Sequence, residues 1–175
     1  GTQATAVGKD DVDPKLKEFV ELNYDKLTLT LSFNEPLAPG SLNYTMLKLQ
    51  DSDTDKLLTN HFTLSGGSTK SAVGDVIVID IKEGDINLLK SKTALCSKVN
   101  GADCWLRLQS KFIKDVSGNT LVATKAQDAK INAQKVVLDS TPPVLTAVAL
   151  NVEKSTIELT FDEPVKSSGL SSSAI

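Results

Sequence analysis

The side chains of this chain whose types and spacing could do chemistry are its carboxylates, its two cysteines and its single histidine. Asp11 and Asp13 stand just before an alternating segment, and Asn34-Glu35 ends the alternating segment that follows. If the first strand runs away from the incoming linker and the second runs back, Asn34 and Glu35 return beside Asp11 and Asp13. Hard oxygen ligands gathered from a linker and its neighbouring loops are what Ca²⁺ requires, and an ion held there would stiffen the linker. The alternative is that such carboxylates accept hydrogen bonds from their own loop backbones while the linker aspartates stay solvated. The run Asp51-Ser52-Asp53-Thr54-Asp55 imitates the start of an EF-hand loop, but Lys56 and Phe62 occupy the positions that need Gly and Glu. It reads as a hairpin turn.

Cys96 and Cys104 flank a segment whose centre is Asn100-Gly101, the strongest short turn dipeptide, so the two sulfurs can meet across a tight loop. The spacing differs from the two-residue spacing of redox pairs, and a structural disulfide is expected, which favours an oxidising, extracellular compartment. His61 is the one side chain able to serve as base in a Ser-His-acid set, and it sits at the head of a short strand with no such set in view. Two Cys and one His are too few for a zinc site. Gly66-Gly67 is not followed by Lys-Ser/Thr and reads as a turn needing positive φ rather than a phosphate cradle. Asn43-Tyr44-Thr45 is an N-glycosylation sequon, so Asn43 is a candidate glycan acceptor and surface glycans are candidate partners.

The elements that must position these residues repeat. Asp11 to Leu47 overlays Asp139 to Ile175 at one offset of 128 residues with no gap, with 12 identities in 37 positions. The pairs include Pro14 with Pro142, Leu22-Asn23 with Leu150-Asn151, Leu31 with Leu159, Phe33 with Phe161 and Glu35-Pro36 with Glu163-Pro164. Long-period self-similarity marks a modular array. The expected organisation is the end of a preceding repeat at 1–10, a complete repeat at 11–138, and the opening strands of the next at 139–175. The chain starts without Met and stops within a copy, and so reads as part of a longer protein. Its neighbours in such an array, or other copies, are the expected partners. The second copy adds Asp139, Asp162 and Glu163 to the acidic residues, of which Asp139 and Glu163 join the candidate ligands.

Period-two alternation dominates, clearest in Leu27 to Phe33, where Leu27, Leu29, Leu31 and Phe33 share one face and Thr28, Thr30 and Ser32 the other. Its copy is Thr156 to Phe161. Shorter strands precede each, Leu16 to Leu22 and Val144 to Leu150, so a hairpin opens each repeat. Further strands are predicted at 44–49, 61–64, 76–81, 105–109 and 133–138, with one helix at 83–95. Many short strands between turns argue for an all-β antiparallel sandwich.

Leu159 to Val165, together with Ile113 to Leu121 and Asp139-Ser140-Thr141-Pro142-Pro143-Val144, resembles the Ig-like repeats of large secreted surface proteins. Such repeats occur in bacterial S-layer and adhesin-type proteins and, in a longer form, in giant extracellular proteins of algae and other protists; the segment Asp85 to Lys90 is similar to the longer form. The resemblance implies an Ig-like sandwich, tandemly repeated, in a non-enzymatic structural or adhesive protein at the cell surface. In that topology the turn Asp115 to Asn119 falls at the same pole as Glu35, which makes Asp115 the sixth candidate ligand. The rival expectation is a carbohydrate- or protein-binding module, which would need Trp105, Tyr24 and Tyr44 exposed together, whereas Trp105 is expected to pack against the disulfide and core.

At 175 residues and 40% hydrophobic content the chain suits about one ordinary domain. No window approaches the roughly 18 apolar residues of a membrane span, and no charged-then-apolar leader is present. Net charge is −3 with both signs interspersed, which gives nucleic acid little reason to bind.

Overall fold

The computed structural model describes residues 10–54, 60–126, 128, 131–169 and 171. Asp55, the last residue of the acidic run, and the expected end of a preceding repeat up to residue 9 lie outside them. The chain divides into two compact units, Gly1–Asp139 and Ser140–Ile175.

The first unit opens with β1 (Leu16–Asn23) and β2 (Thr28–Ala38) and continues through β3 (Leu47–Gln50), β4 (His61–Thr63), β5 (Gly67–Ser68) and β6 (Gly74–Ile81). The helix α1 (Glu83–Lys90) leads to β7 (Trp105–Leu108), β8 (Lys114–Asp115) and β9 (Lys135–Val137). One sheet has the order β5-β6-β2-β1-β9, with β8 also on β2, and the other is β4-β3-β7. This is an all-β sandwich with one short helix.

Alternation decides which side chains fill it. Leu29, Leu31 and Phe33 of β2, Leu22 of β1, and Ile77 and Ile79 of β6 join Leu47, Leu49, Leu106 and Leu108 of the second sheet in one buried core. Each such side chain contributes about 1.5–3 kcal/mol relative to exposure. Ile86 and Leu89 bring α1 onto the same core.

Several boundaries differ from the expectation. Leu27 is not in β2 but in the turn, with φ 56°, because the Asn23 side chain accepts the Lys26 N–H at 2.8 Å and closes the turn one residue before the strand. The helix ends at Lys90 rather than Leu95: Ser91 donates its hydroxyl to the Leu88 carbonyl at 2.6 Å, and a further turn joins Leu95 N–H to Lys92 O at 3.1 Å. Residues 44–46 form a 3-10 turn before β3. Gly66-Gly67 lacks positive φ, since among the described glycines only Gly101 and Gly118 have it. Close approach explains these small residues instead: a Cβ on Gly67 would stand 2.9 Å from the Asp80 carbonyl. β9 pairs with β1 in parallel, through Glu21↔Lys135, Leu22↔Val136 and Asn23↔Val137.

The second unit carries β10 (Leu145–Asn151) and β11 (Thr156–Phe161), an antiparallel hairpin. It reproduces the β1–β2 tip. Leu150↔Ile157 and Asn151↔Thr156 sit 128 residues beyond Leu22↔Leu29 and Asn23↔Thr28. Lys154 N–H donates to Asn151 Oδ1 at 2.9 Å, and Ser155 has φ 51° where Leu27 has 56°. Only the base differs, because β1 carries a second bulge between Phe19 and Glu21.

Candidate functional site

Two clusters of polar side chains lie at opposite ends of β1. At its start, Asn34 turns back as expected: its N–H donates to Lys15 O at 3.1 Å and its side-chain oxygen accepts the Lys15 N–H. Pro14 O accepts the N–H of Val122 at 2.8 Å. The organiser of this pole is Asn119, whose amide donates to the carbonyls of Asp10 at 3.0 Å and Val12 at 3.2 Å and to Asp115 Oδ2 at 2.7 Å. Asp115 is buried, and its Oδ1 accepts the N–H groups of Ser117 at 2.9 Å and Asn119 at 2.8 Å, an Asx-type turn. Burial would raise its pKa, but the bonds from Asn119, Ser117 and Gly118 outweigh that and hold it below the usual carboxylate range.

Carboxylate oxygens of Asp10, Glu35 and Asp115 lie within 4.8 Å of one another, a geometry able to hold a metal ion. Of the six candidate ligands the structure thus brings Glu35 and Asp115 together, and adds Asp10. Asp11 and Asp13 are exposed in the adjoining linker. Asp139 pairs with Lys90 at 2.9 Å. Glu163 lies in the second unit beside Asp162, whose Oδ1 accepts the Val144 N–H at 2.8 Å much as Asn34 accepts that of Lys15.

At the other end of β1, Cys96 and Cys104 form the expected disulfide, S–S 2.02 Å, with both residues fully buried. The enclosed loop is organised by Asp103. Its Oδ2 accepts the Ser97 hydroxyl at 2.6 Å and the Ser97 N–H at 2.9 Å, and its Oδ1 the Lys98 N–H at 3.0 Å. Burial pushes the Asp103 pKa up, but these bonds together draw it down. Gly101, at φ 66°, is needed twice over: a Cβ there would lie 1.8 Å from the Ala133 carbonyl. Val136 N–H donates to Val99 O at 3.0 Å, so the loop also holds β9.

Tyr24 is bonded to this loop, its hydroxyl donating to Cys96 O at 3.1 Å. Burial, with the nearby Asp103 carboxylate, raises its pKa. Trp105 is half-buried on β7, its indole N–H reaching Ala102 O of the same loop at 3.4 Å. With Tyr24 at 4% exposure, the three aromatics form no common exposed platform. His61 is exposed on β4 opposite Gln50. Asn43 precedes the 3-10 turn at 44–46, with its Oδ1 accepting the Thr45 hydroxyl at 2.7 Å.

Asp103 and Asn119 were not among the candidates read from the sequence. The available signal was faint: each is the acidic or amide residue of a Gly-containing turn, Gly101-Ala102-Asp103 and Ser117-Gly118-Asn119.

No family model matches this chain, and no curated protein matches it. Among solved structures it is similar to the N-terminal part of the bacterial S-layer protein SbsC, with TM-score 0.40 and 12% identity over 80% of this chain. The match spans 26% of that structure. No helix among the described residues is long and apolar enough to cross a membrane.

Proposed function

We propose that this chain is a non-enzymatic structural module of an extracellular surface protein, a stiff spacer whose units follow one another end to end. The observation that carries the reading is the duplication: a like hairpin, with the same tip register and a left-handed residue at the same turn position, opens both units. Between β9 and β10 run only Leu138 to Val144, including Pro142-Pro143, whose fixed φ angles limit swinging. The buried disulfide favours an oxidising compartment. Nitrogen-15 relaxation on a chain carrying two complete first units in tandem tests the reading. One anisotropic rotational diffusion tensor for both units is expected; two independent correlation times would refute it.

A second reading concerns the acidic pole, where calcium on Asp10, Glu35 and Asp115 would fix the linker to the sandwich. The donor set fits the ion in chemistry, being three hard carboxylates from a linker, a strand and a turn. Thermal unfolding with calcium and with excess chelator, at fixed ionic strength, decides it: the midpoint rises with calcium and Glu35→Gln removes the rise. An unchanged midpoint leaves Asp115 as the acceptor of its own turn and nothing more.

A further inference from the structure

The dipeptide Asn100-Gly101 has a chemistry that the closed loop holds back. In a chain free to move, the main-chain nitrogen of a glycine that follows an asparagine attacks the side-chain carbonyl carbon, unhindered because glycine has no Cβ. A new C–N bond closes a cyclic imide, the amide C–N bond breaks, and ammonia leaves with the proton that the glycine nitrogen gives up. Water then opens the ring at either carbonyl. The product is ordinary aspartate or isoaspartate, in which the main chain runs through the former side chain and is longer by a methylene.

Asn100 is set up for this reaction and Gly101 is not. The Asn100 side chain is exposed, and its Oδ1 accepts the Ala102 N–H at 3.2 Å, an Asx-type bond that draws electron density from the carbon to be attacked. Gly101 is buried, its N–H donates to Lys98 O at 2.8 Å, and its carbonyl accepts the Cys104 N–H at 2.9 Å. Burial disfavours the amide anion that must form, and the bond to Lys98 O holds both the proton and the direction of the nitrogen. The loop is kept closed around it by the Cys96–Cys104 bond and by the Asp103 carboxylate on Ser97 and Lys98.

We infer that Asn100 is a latent modification site, which loses ammonia only from an opened loop and, as isoaspartate, makes that opening permanent. Gly101, at φ 66°, lies so close to Ala133 that an added Cβ would stand 1.8 Å from its carbonyl oxygen. A main chain lengthened at residue 100 shifts Gly101 out of that place. Lost with it are the bond to Lys98 O and the bond from Val136 N–H to Val99 O at 3.0 Å, through which the loop holds β9. The aspartate product keeps the normal main chain, and its carboxylate still accepts the Ala102 N–H, so the loop closes again. The device lies wholly within the first unit and needs no neighbour, so it stands or falls apart from the spacer reading.

The test uses the intact, oxidised 175-residue chain and a peptide of residues 95–105 closed by the same disulfide, which keeps the covalent ring but lacks Tyr24, Ala133 and β9. Both are held in the same mildly alkaline buffer. Conversion at Asn100 is followed by peptide mapping, with isoaspartate told from aspartate by enzymatic methylation. Asn100 should convert at least about tenfold more slowly in the chain than in the peptide, because the chain reacts only in its opened fraction. Chain converted while unfolded in urea, then returned to buffer and separated by charge, supplies the isoaspartate form. Its Gly101, Cys104 and Val136 amides should have lost their protection from hydrogen exchange, whereas a chain carrying Asn100→Asp should keep it. Equal conversion rates in chain and peptide would overturn the gate, and native protection of those amides in the isoaspartate chain would overturn the permanence.

Discussion

Removing the Cys96–Cys104 disulfide by the double substitution Cys96→Ala/Cys104→Ala should destabilise the first unit by a magnitude set by loop entropy. The bridge joins residues 8 apart in sequence, closing a loop of about nine residues, for which the chain-entropy relation gives about 2.6 kcal/mol at 25 °C. Alanine is the appropriate replacement, since both positions are fully buried and a serine hydroxyl there would need a partner. The native loop should keep its form without the bridge, because Asp103 still holds the N–H groups of Ser97 and Lys98 and Gly101 still packs on Ala133. The effect therefore falls on the unfolded chain. With an unfolding entropy of about 2.1 cal/mol/K per residue over about 130 residues, 2.6 kcal/mol lowers Tm by about 10 °C. Trp105 is the only tryptophan and directly follows Cys104, so its fluorescence reports the unfolding of this unit. Native chain reduced with excess dithiol should melt with the double variant. A fall under about 3 °C would refute the entropic account and place the restraint in the Asp103 bonds, which would then persist in the unfolded chain.

Gly101→Ala should cost roughly 3 kcal/mol or more, because the new Cβ would stand 1.8 Å from the Ala133 carbonyl and the backbone is left-handed, whereas Gly118→Ala, also at positive φ but with nothing within 4 Å, should cost only about 1–2 kcal/mol; equal urea midpoints for the two would refute the packing argument. Acid should destabilise the first unit through Asp103 and Asp115, whose folded pKa values are both lowered. Lowered folded values mean that the unfolded chain binds more protons, so their stabilisation is complete above the unfolded carboxylate value of about 3.9 and is lost as pH falls through the folded values; urea midpoints between pH 2 and 7 should show a shallower acid decline in Asp103→Asn than in the native chain, and parallel profiles would sink the assignment.

How much of this could be read from residues alone depends on the range of the contact. The alternation of Leu29, Leu31 and Phe33 against Thr28, Thr30 and Ser32 is local, and it located β2 and its buried face. Cys96 and Cys104 paired as their spacing suggested. Glu35 returned to the linker because β2 runs antiparallel to β1, where it meets Asp10, and Asp115 joins them at the pole that the resemblance implied. What escaped was decided far away in the chain. Lys135-Val136-Val137 carries no local mark of parallel pairing with β1. β8 is two residues long and exists because Leu37 and Ala38 continue β2 past Pro36. Asn119 binds the carbonyl of Asp10 across 109 residues, and no pattern near Asn119 announces that. Leu27 looked like the first residue of an alternating strand, since its side chain packs on the core; the Asn23 side chain closing the turn places its backbone elsewhere.

The parallel pairing of β9 with β1 bears directly on the spacer reading. An antiparallel last strand would bring the chain out at the pole where it entered. Because β9 runs with β1, the chain enters at Pro14 and leaves beyond Val137 at opposite ends of the sandwich. The exit is secured at several points: Tyr24 N–H to Val137 O at 3.0 Å, Val136 N–H to Val99 O at 3.0 Å, Lys135 to Glu21 at 2.9 Å and Lys90 to Asp139 at 2.9 Å. Val99 lies within the disulfide-closed loop, so the exit strand β9 is bonded to a covalently closed ring as well as to the β1 ladder. Entry is secured by Asn119, which binds the carbonyls of Asp10 and Val12. The acidic pole and the disulfide thus lie at the two points where the chain enters and leaves the first unit.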